Sequence, residues 1–167
     1  SSAEHQYDLP FQYNGQVVST SFNYSAQTKQ QEILGPNNGY QFLWKEASAT
    51  VSNATAQFTF LNAHTFYTLS SYVEDSTNIF FTRSGANDPK FNLRRETAYI
   101  LRSKGRNKLF ANVLEMHGRY DPINEFATGA YTAVKQIRVL KNDPDYTVAE
   151  IKMTDKNLSI DEFKELL

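Results

Sequence analysis

Short segments rich in Val, Ile, Thr, Phe and Tyr, separated by turn residues, run along almost the whole chain. Side chains of this kind suit a pleated, half-buried strand. In one segment Phe58 and Phe60 alternate with Thr59 and Leu61, the period of two that places neighbours on opposite faces of a strand. Each such segment is predicted to be a β-strand. The segments are 16–24, 40–51, 56–62, 65–73, 77–83, 97–103, 108–116, 133–140 and 146–153.

The segment 133–140 alternates as well. Regular alternation would place Val134, Gln136 and Arg138 on one face of the strand. Lys135, Ile137 and Val139 would then lie on the other face. We therefore expect Val134 and Ile137 on opposite faces of this strand.

The turns between these segments have the composition of short antiparallel connections, such as Asn14-Gly15 and the stretch 141–145 with its Asn, Asp and Pro. Only the tail has a helix signal, where Ser159 and Glu162 form a capping-box pair. The fold is predicted to be all-β, an antiparallel β-sandwich of about eight to nine strands with a short C-terminal helix. Residues 1–167 are expected to form a single domain.

Composition narrows the function classes. The chain has 167 residues, 40% of them hydrophobic, and a net charge of −1, which gives a real core but no basic face for a phosphate backbone. Nucleic acid is therefore excluded as an expected partner. No run of about 18 apolar residues occurs, so we expect no membrane span. The absence of cysteine removes thiol catalysis, disulfides and cysteine-ligated metals.

The polar loop after the strand at 77–83 is the densest group of hydrogen-bonding side chains. Its arginines match the geometry of a carboxylate, which makes an acid-binding cluster one interpretation. The favoured interpretation is a structural polar network that satisfies backbone groups where two sheets meet. Its predicted members, with two residues further on, are Arg83, Asn87, Asp88, Arg94, Arg95, Glu115 and His117.

Catalytic and metal signals are weak. His117 and Asp121 are four residues apart, but on a strand this spacing does not converge on an ion, so we predict no metal. No serine lies beside a histidine in a nucleophile motif. We assign no catalytic residue, although an unrecognised site around Arg83, Asp88 and His117 stays an open hypothesis.

Aromatic side chains crowd the first third of the chain. They fit a sandwich core best, because alternating aromatics on strands usually point inward. The alternative is an exposed stacking platform for sugars, for which Tyr40 and Trp44 are the candidates.

Five motifs, in this order, resemble the C-terminal β-sandwich portion of heparinase II/III-like polysaccharide lyases, and most closely polysaccharide lyase family 17, the oligoalginate lyases. The likeness covers roughly residues 4–140. The motifs are HQYDLP at 5–10, NGYQFLW at 38–44, FYTL at 66–69, RSGANDPKFNLRR at 83–95 and EMHG at 115–118.

The resemblance implies a parent enzyme with an N-terminal α/α-toroid that cleaves uronate polymers by β-elimination. It implies a zinc ion bound upstream, with no cofactor in this chain, because none of the family's catalytic or zinc residues matches a position here. It further implies acidic polysaccharide, specifically alginate oligosaccharides, as the parent's substrate and a periplasmic or secreted bacterial location, and it leaves a homodimer open.

We therefore expect a lyase fragment that is inactive alone and buttresses the missing toroid. The alternative is an autonomous carbohydrate-binding module for acidic polysaccharide.

Overall fold

The computed structural model describes residues 16–26, 32–84 and 96–154. Their regular secondary structure consists of β-strands, apart from one 3-10 turn at Tyr40–Phe42. The prediction of an all-β fold is confirmed. The strands are β1 (Gln16–Thr20), β2 (Ser25–Ala26), β3 (Leu43–Val51), β4 (Ala54–Asn62), β5 (Thr65–Val73), β6 (Thr77–Ser84), β7 (Glu96–Ser103), β8 (Asn112–Asp121), β9 (Phe126–Thr128), β10 (Val134–Asn142) and β11 (Thr147–Met153).

The strands form three antiparallel units. Sheet A has the order β1-β4-β5-β8-β9, sheet B has the order β2-β3-β6-β7, and β10 pairs with β11 as a separate hairpin. Sheet B packs on one face of sheet A, where the rings of Phe58 and Phe81 meet edge to face at 5.3 Å. The hairpin packs on the other face, where Thr55 exchanges hydrogen bonds with the backbone of Ile137. Sheet A is therefore the middle layer.

The layer between sheets A and B is apolar. Phe58 is 1% exposed and Ile79 is fully buried. The ring of Tyr99 lies 4.6 Å from that of Phe58 and 5.6 Å from that of Phe81, so three strands share one aromatic cluster. The burial of such large aromatic side chains in mutual contact is the main source of stability in a small β-sandwich.

The layer between sheet A and the hairpin is largely polar. The hydroxyls of Thr59 and Thr68, both buried, are 2.7 Å apart. Gln57 donates through Nε2 to the hydroxyl of Ser70 at 2.8 Å and to the carbonyl of Val134 at 2.7 Å. Because buried polar groups are costly unless paired, the bond from Gln57 to Val134 helps to fix how the hairpin sits on the sheet.

The predicted strand at 65–73 coincides with β5. The short strands β2 and β9 have too few residues to show an alternating pattern, so they were not predicted from the sequence. Residues 108–111 precede β8, which runs instead from Asn112 to Asp121. The predicted C-terminal helix lies outside the described residues.

The expectation of opposite faces for Val134 and Ile137 was wrong. Both are 3% exposed. The register of β10 against β11 shifts between Val134 and Gln136, and again between Val139 and Lys141. A bulge of this kind interrupts the alternation and allows both apolar side chains to reach the core.

Within the described ranges, no helix has the length and apolar character needed to cross a bilayer.

Adjacent serines in β5 provide a test of the two layers. The Ser71 hydroxyl is buried without a partner among the described residues, whereas Ser70 accepts a bond from Gln57. We expect Ser71→Ala to leave the free energy of unfolding unchanged or to raise it by up to about 1 kcal/mol, and Ser70→Ala to lower it by about 1 kcal/mol. Urea unfolding of both variants measures this difference. Equal losses in the two variants would contradict the assignment of the layers.

Candidate functional site

Two side chains of β8 hold the segment 129–135, which comprises the connection from β9 to β10 and the first two residues of β10. The first is His117, whose Nδ1 lies 2.8 Å from the carbonyl oxygen of Gly129 and whose Nε2 lies 2.8 Å from the hydroxyl of Thr68. Because a carbonyl can only accept, Nδ1 donates to Gly129, while Nε2 bonds to the hydroxyl of Thr68, which can donate or accept. The ring also stacks on Phe66, its cross-strand neighbour. Both nitrogens are therefore engaged in structure.

The second is Glu115, two residues earlier on the same face. Its carboxylate accepts bonds from the hydroxyl of Thr132 and from the backbone N–H of Ala133, the latter at 3.0 Å. Burial alone raises the pKa of Glu115, but the hydrogen bonds from Thr132 and Ala133 and the nearby His117 outweigh it and lower this pKa below its ordinary value. The charged carboxylate is thus the form that the segment requires.

A close backbone approach completes this corner. Gly118 has φ +29, and a Cβ atom there would overlap the backbone carbonyls of Thr128 and Gly129. Only glycine permits the strands to approach so closely at this point. The approach places the Gly129 carbonyl within reach of His117.

Arg83 lies elsewhere in the fold. It belongs to β6 of sheet B and forms an ion pair with Glu46 of the neighbouring strand β3. Glu115 and His117 are on the hairpin side of sheet A, the face away from sheet B. The other predicted network members, Asn87, Asp88, Arg94 and Arg95, lie outside the described residues, so the network as a whole stays a prediction.

The described side chains near His117 do not fit a metal. No group of three or more His, Asp or Glu side chains comes together within the ranges that the structure describes. The carboxylate of Asp121 accepts bonds from the backbone of Ile123 at 2.9 Å and from the side chain of Asn124 at 2.8 Å. Both nitrogens of His117 are engaged as well, so its ring cannot bind a metal without breaking a structural bond, and Asp121 alone is too few ligands for a site.

Tyr99 is no better as a proton acceptor. Burial raises the pKa of its phenol well above the ordinary value, against a smaller lowering by Arg83. A tyrosine base needs the opposite change, because its pKa must come close to the working pH. Tyr99 therefore acts as a core aromatic.

The candidate sugar platform is also placed by the structure. Tyr40 lies in the 3-10 turn and Trp44 in β3, and both are half-buried. The most exposed aromatic side chain among the described residues is Tyr131, at 82%. No sequence motif pointed to Tyr131, which follows a glycine turn outside any strand.

Tyr131 borders an open cleft of about 420 Å³ between the β1 edge of sheet A and the base of the hairpin. This volume is within the range of about 300–1,000 Å³ found for ligand pockets. The cleft unites residues far apart in the sequence, which is why pattern alone did not indicate it. Its described lining consists of Ser19, Thr20, Ser21, Gln57, Thr59, Tyr131, Thr132, Val134, Lys135 and Thr154.

The arrangement is that of a β-sandwich with a polar, hydroxyl-lined cleft, a form suited to binding and to scaffolding.

No family model matches the chain. The chain is 36% identical over 151 residues to an exo-oligoalginate lyase of Saccharophagus degradans, covering 87% of this chain and 20% of that protein. It is likewise 36% identical over 149 residues to an alginate lyase of Stenotrophomonas maltophilia, covering 89% of this chain and 20% of that protein.

The resemblance to alginate lyases is thereby confirmed. Identity at this level over most of the chain makes it a relative of part of these proteins, and it spans about a fifth of their length.

The close approach at Gly118 generates a stability prediction. Gly118→Ala forces the backbones of β8 and β9 apart, and we expect a loss of about 2 kcal/mol or more in the free energy of unfolding. Gly39→Ala is the matched control, because Gly39 also has a positive φ, +84, but no atom within 4 Å of an added Cβ. We expect Gly39→Ala to lower the free energy of unfolding by about 1 kcal/mol. Denaturant unfolding that ranks Gly39→Ala as the costlier change would refute the close approach.

Glu115 generates a pH prediction. Its folded pKa is lower than its unfolded value, so its contribution is fully present above the unfolded pKa and is lost as the pH falls through the folded pKa. Glu115→Gln should lower the free energy of unfolding by about 1 kcal/mol at about pH 7. This is the value of a charge-assisted hydrogen bond, reduced because the site is partly exposed. The difference from the wild type should shrink as the pH falls below about 4.

Urea unfolding at several pH values measures this trend. Glu125→Gln, an exposed change in the β8–β9 turn, is the control and should stay within about 0.5 kcal/mol of wild type throughout. A Glu115→Gln deficit that grows in acid would show that the carboxylate is not the stabilising form.

Proposed function

We propose that this chain is the distal part of the C-terminal β-sandwich of an alginate-degrading lyase, and that by itself it is a scaffold without lyase activity. The observation that carries the proposal is the 36% identity to two proteins named as alginate lyases, across nearly nine-tenths of this chain but only a fifth of theirs. The remaining length leaves room for a separate catalytic part.

The described side chains support a scaffold role. The groups best suited to proton transfer, His117 and Glu115, have their polar atoms committed to holding the segment 129–135. Tyr99 is held protonated in the core. These groups serve stability, and a reaction would need others.

In the parent, β-elimination removes the C5 proton of a uronate, protonates the departing O4 and leaves a double bond between C4 and C5. We assign the base, the acid and the zinc ion of the family to residues outside this chain, since none of the family's catalytic or zinc residues matches a position in it. The sandwich would buttress an N-terminal α/α-toroid and wall its cleft. A periplasmic or secreted location belongs to the same proposal.

The alternative of an autonomous carbohydrate-binding module is favoured by one feature, the open cleft beside the exposed Tyr131. It is compatible with the scaffold role and does not require turnover.

Incubation of the chain with alginate oligosaccharides tests the scaffold proposal. We expect no rise in ultraviolet absorbance from an unsaturated product, because the proton-transfer groups belong to the missing part. A full-length lyase relative serves as the positive control for substrate and conditions. Sustained product formation by the chain alone would overturn the proposal.

A further inference from the structure

The cleft beside Tyr131 is built on fixed structural elements. Its floor is the hairpin-facing side of β4, its one wall is the end of β1, and its other wall is the segment 131–135. Ser21, just after β1, attaches this wall to β4: its N–H donates to the Gln57 carbonyl and its hydroxyl accepts from the Gln57 N–H, each at 2.9 Å. The base of the hairpin is closed by a bond from the Thr154 N–H to the Ala133 carbonyl. The cleft is therefore preformed.

One amide in the floor is oriented for recognition. Gln57 uses both Nε2 hydrogens, one on Ser70 and one on the Val134 carbonyl. The Nε2 group is thus saturated, and Oε1 is the acceptor that this side chain has left. A fixed acceptor among serine and threonine hydroxyls matches the donor and acceptor hydroxyls of a sugar.

The charge of the lining selects an anion. Lys135 is exposed on β10 and, among the described residues, makes no ion pair. No carboxylate belongs to the described lining. The carboxylate of Glu115, on the same face of sheet A, is bonded to the backbone N–H of Ala133 and the hydroxyl of Thr132. Within the described lining, an acidic ligand would therefore meet one free cation and no carboxylate.

Tyr131 supplies an apolar surface at the rim. The ring of Tyr131 is 82% exposed beside a polar cleft, so it can pack against the apolar face of a pyranose ring at little cost in free energy. Its phenol hydroxyl remains available for a hydrogen bond. The combination of ring, fixed amide, hydroxyls and one ammonium group describes an anionic sugar more closely than an apolar ligand.

We propose that this cleft is a binding site for a short uronic-acid oligosaccharide, with Tyr131 stacking on a sugar ring and Lys135 pairing with a uronate carboxylate. The choice of uronate rests on the proposed function, whereas the cleft itself does not. The site binds without turnover, and it gives the sandwich a substrate contact of its own.

Isothermal titration of the 167-residue chain with an alginate oligosaccharide tests this site. We expect a dissociation constant of about 1 mM or lower. Lys135→Gln should weaken binding about fivefold, the upper limit for an exposed ion pair, and should reduce its salt dependence. Tyr131→Ala should weaken binding by at least about fivefold. A neutral mannose oligosaccharide of equal length should bind wild type at least about fivefold more weakly.

Two matched variants control for general effects. Lys152→Gln removes an exposed lysine from β11 of the same hairpin, and Phe126→Ala removes an aromatic side chain that is 63% exposed on β9. Neither residue lines the cleft, so both variants should keep wild-type affinity. Thermal melting of all four variants confirms that each is folded.

Failure to detect binding, or equal losses in the cleft variants and their controls, would overturn the proposed site. Equal affinity for the neutral oligosaccharide would overturn the assigned ligand class. These experiments measure binding and not product formation. The proposed site can therefore be refuted without refuting the scaffold role, and the reverse also holds.

Discussion

Burial of the centre of sheet A on both faces is the constraint on which the structure depends. The β4–β5 hairpin lies at the centre of that sheet, and its alternate residues enter two different environments. Phe58 turns into an aromatic cluster with sheet B, whereas its neighbour Thr59 turns into hydrogen bonds beneath β10. A strand covered on one side only could leave Thr59 in water. Here every polar group on the second face needs a partner, and those partners determine where the outer hairpin sits.

The polar layer also explains why good candidates for chemistry are not free to react. His117 is bonded on one side to Thr68, which belongs to the buried layer, and on the other to Gly129, which begins the connection to β10. Glu115 holds the same connection four residues further along, at the N–H of Ala133. Their arrangement looks catalytic by residue type, but it performs the task of an anchor. A perturbed carboxylate pKa accordingly reports structural hydrogen bonding as well as function.

Sequence could predict the fold class and several strand positions because alternation and turn chemistry are local. The bounds of β5 follow directly from them. The bulge in β10 could not be predicted, since it arises from the need to bury both Val134 and Ile137 against sheet A, which is a tertiary demand. The cleft was hidden for a related reason. Gln57 and Tyr131 become neighbours only through strand register and the placement of the hairpin, and neither belongs to a motif.

The two proposed roles meet in the segment 129–135. Its backbone is tied to β8 by Glu115 and His117 and to the end of β11 by Thr154, so Tyr131 and Lys135 project from a fixed connection. Affinity for a flexible sugar depends on such preorganisation, because a rigid surface loses little entropy on binding. The bonds that make the sandwich a stable support therefore also preform its cleft. A scaffold built in this way can contact substrate without contributing a single group to its cleavage.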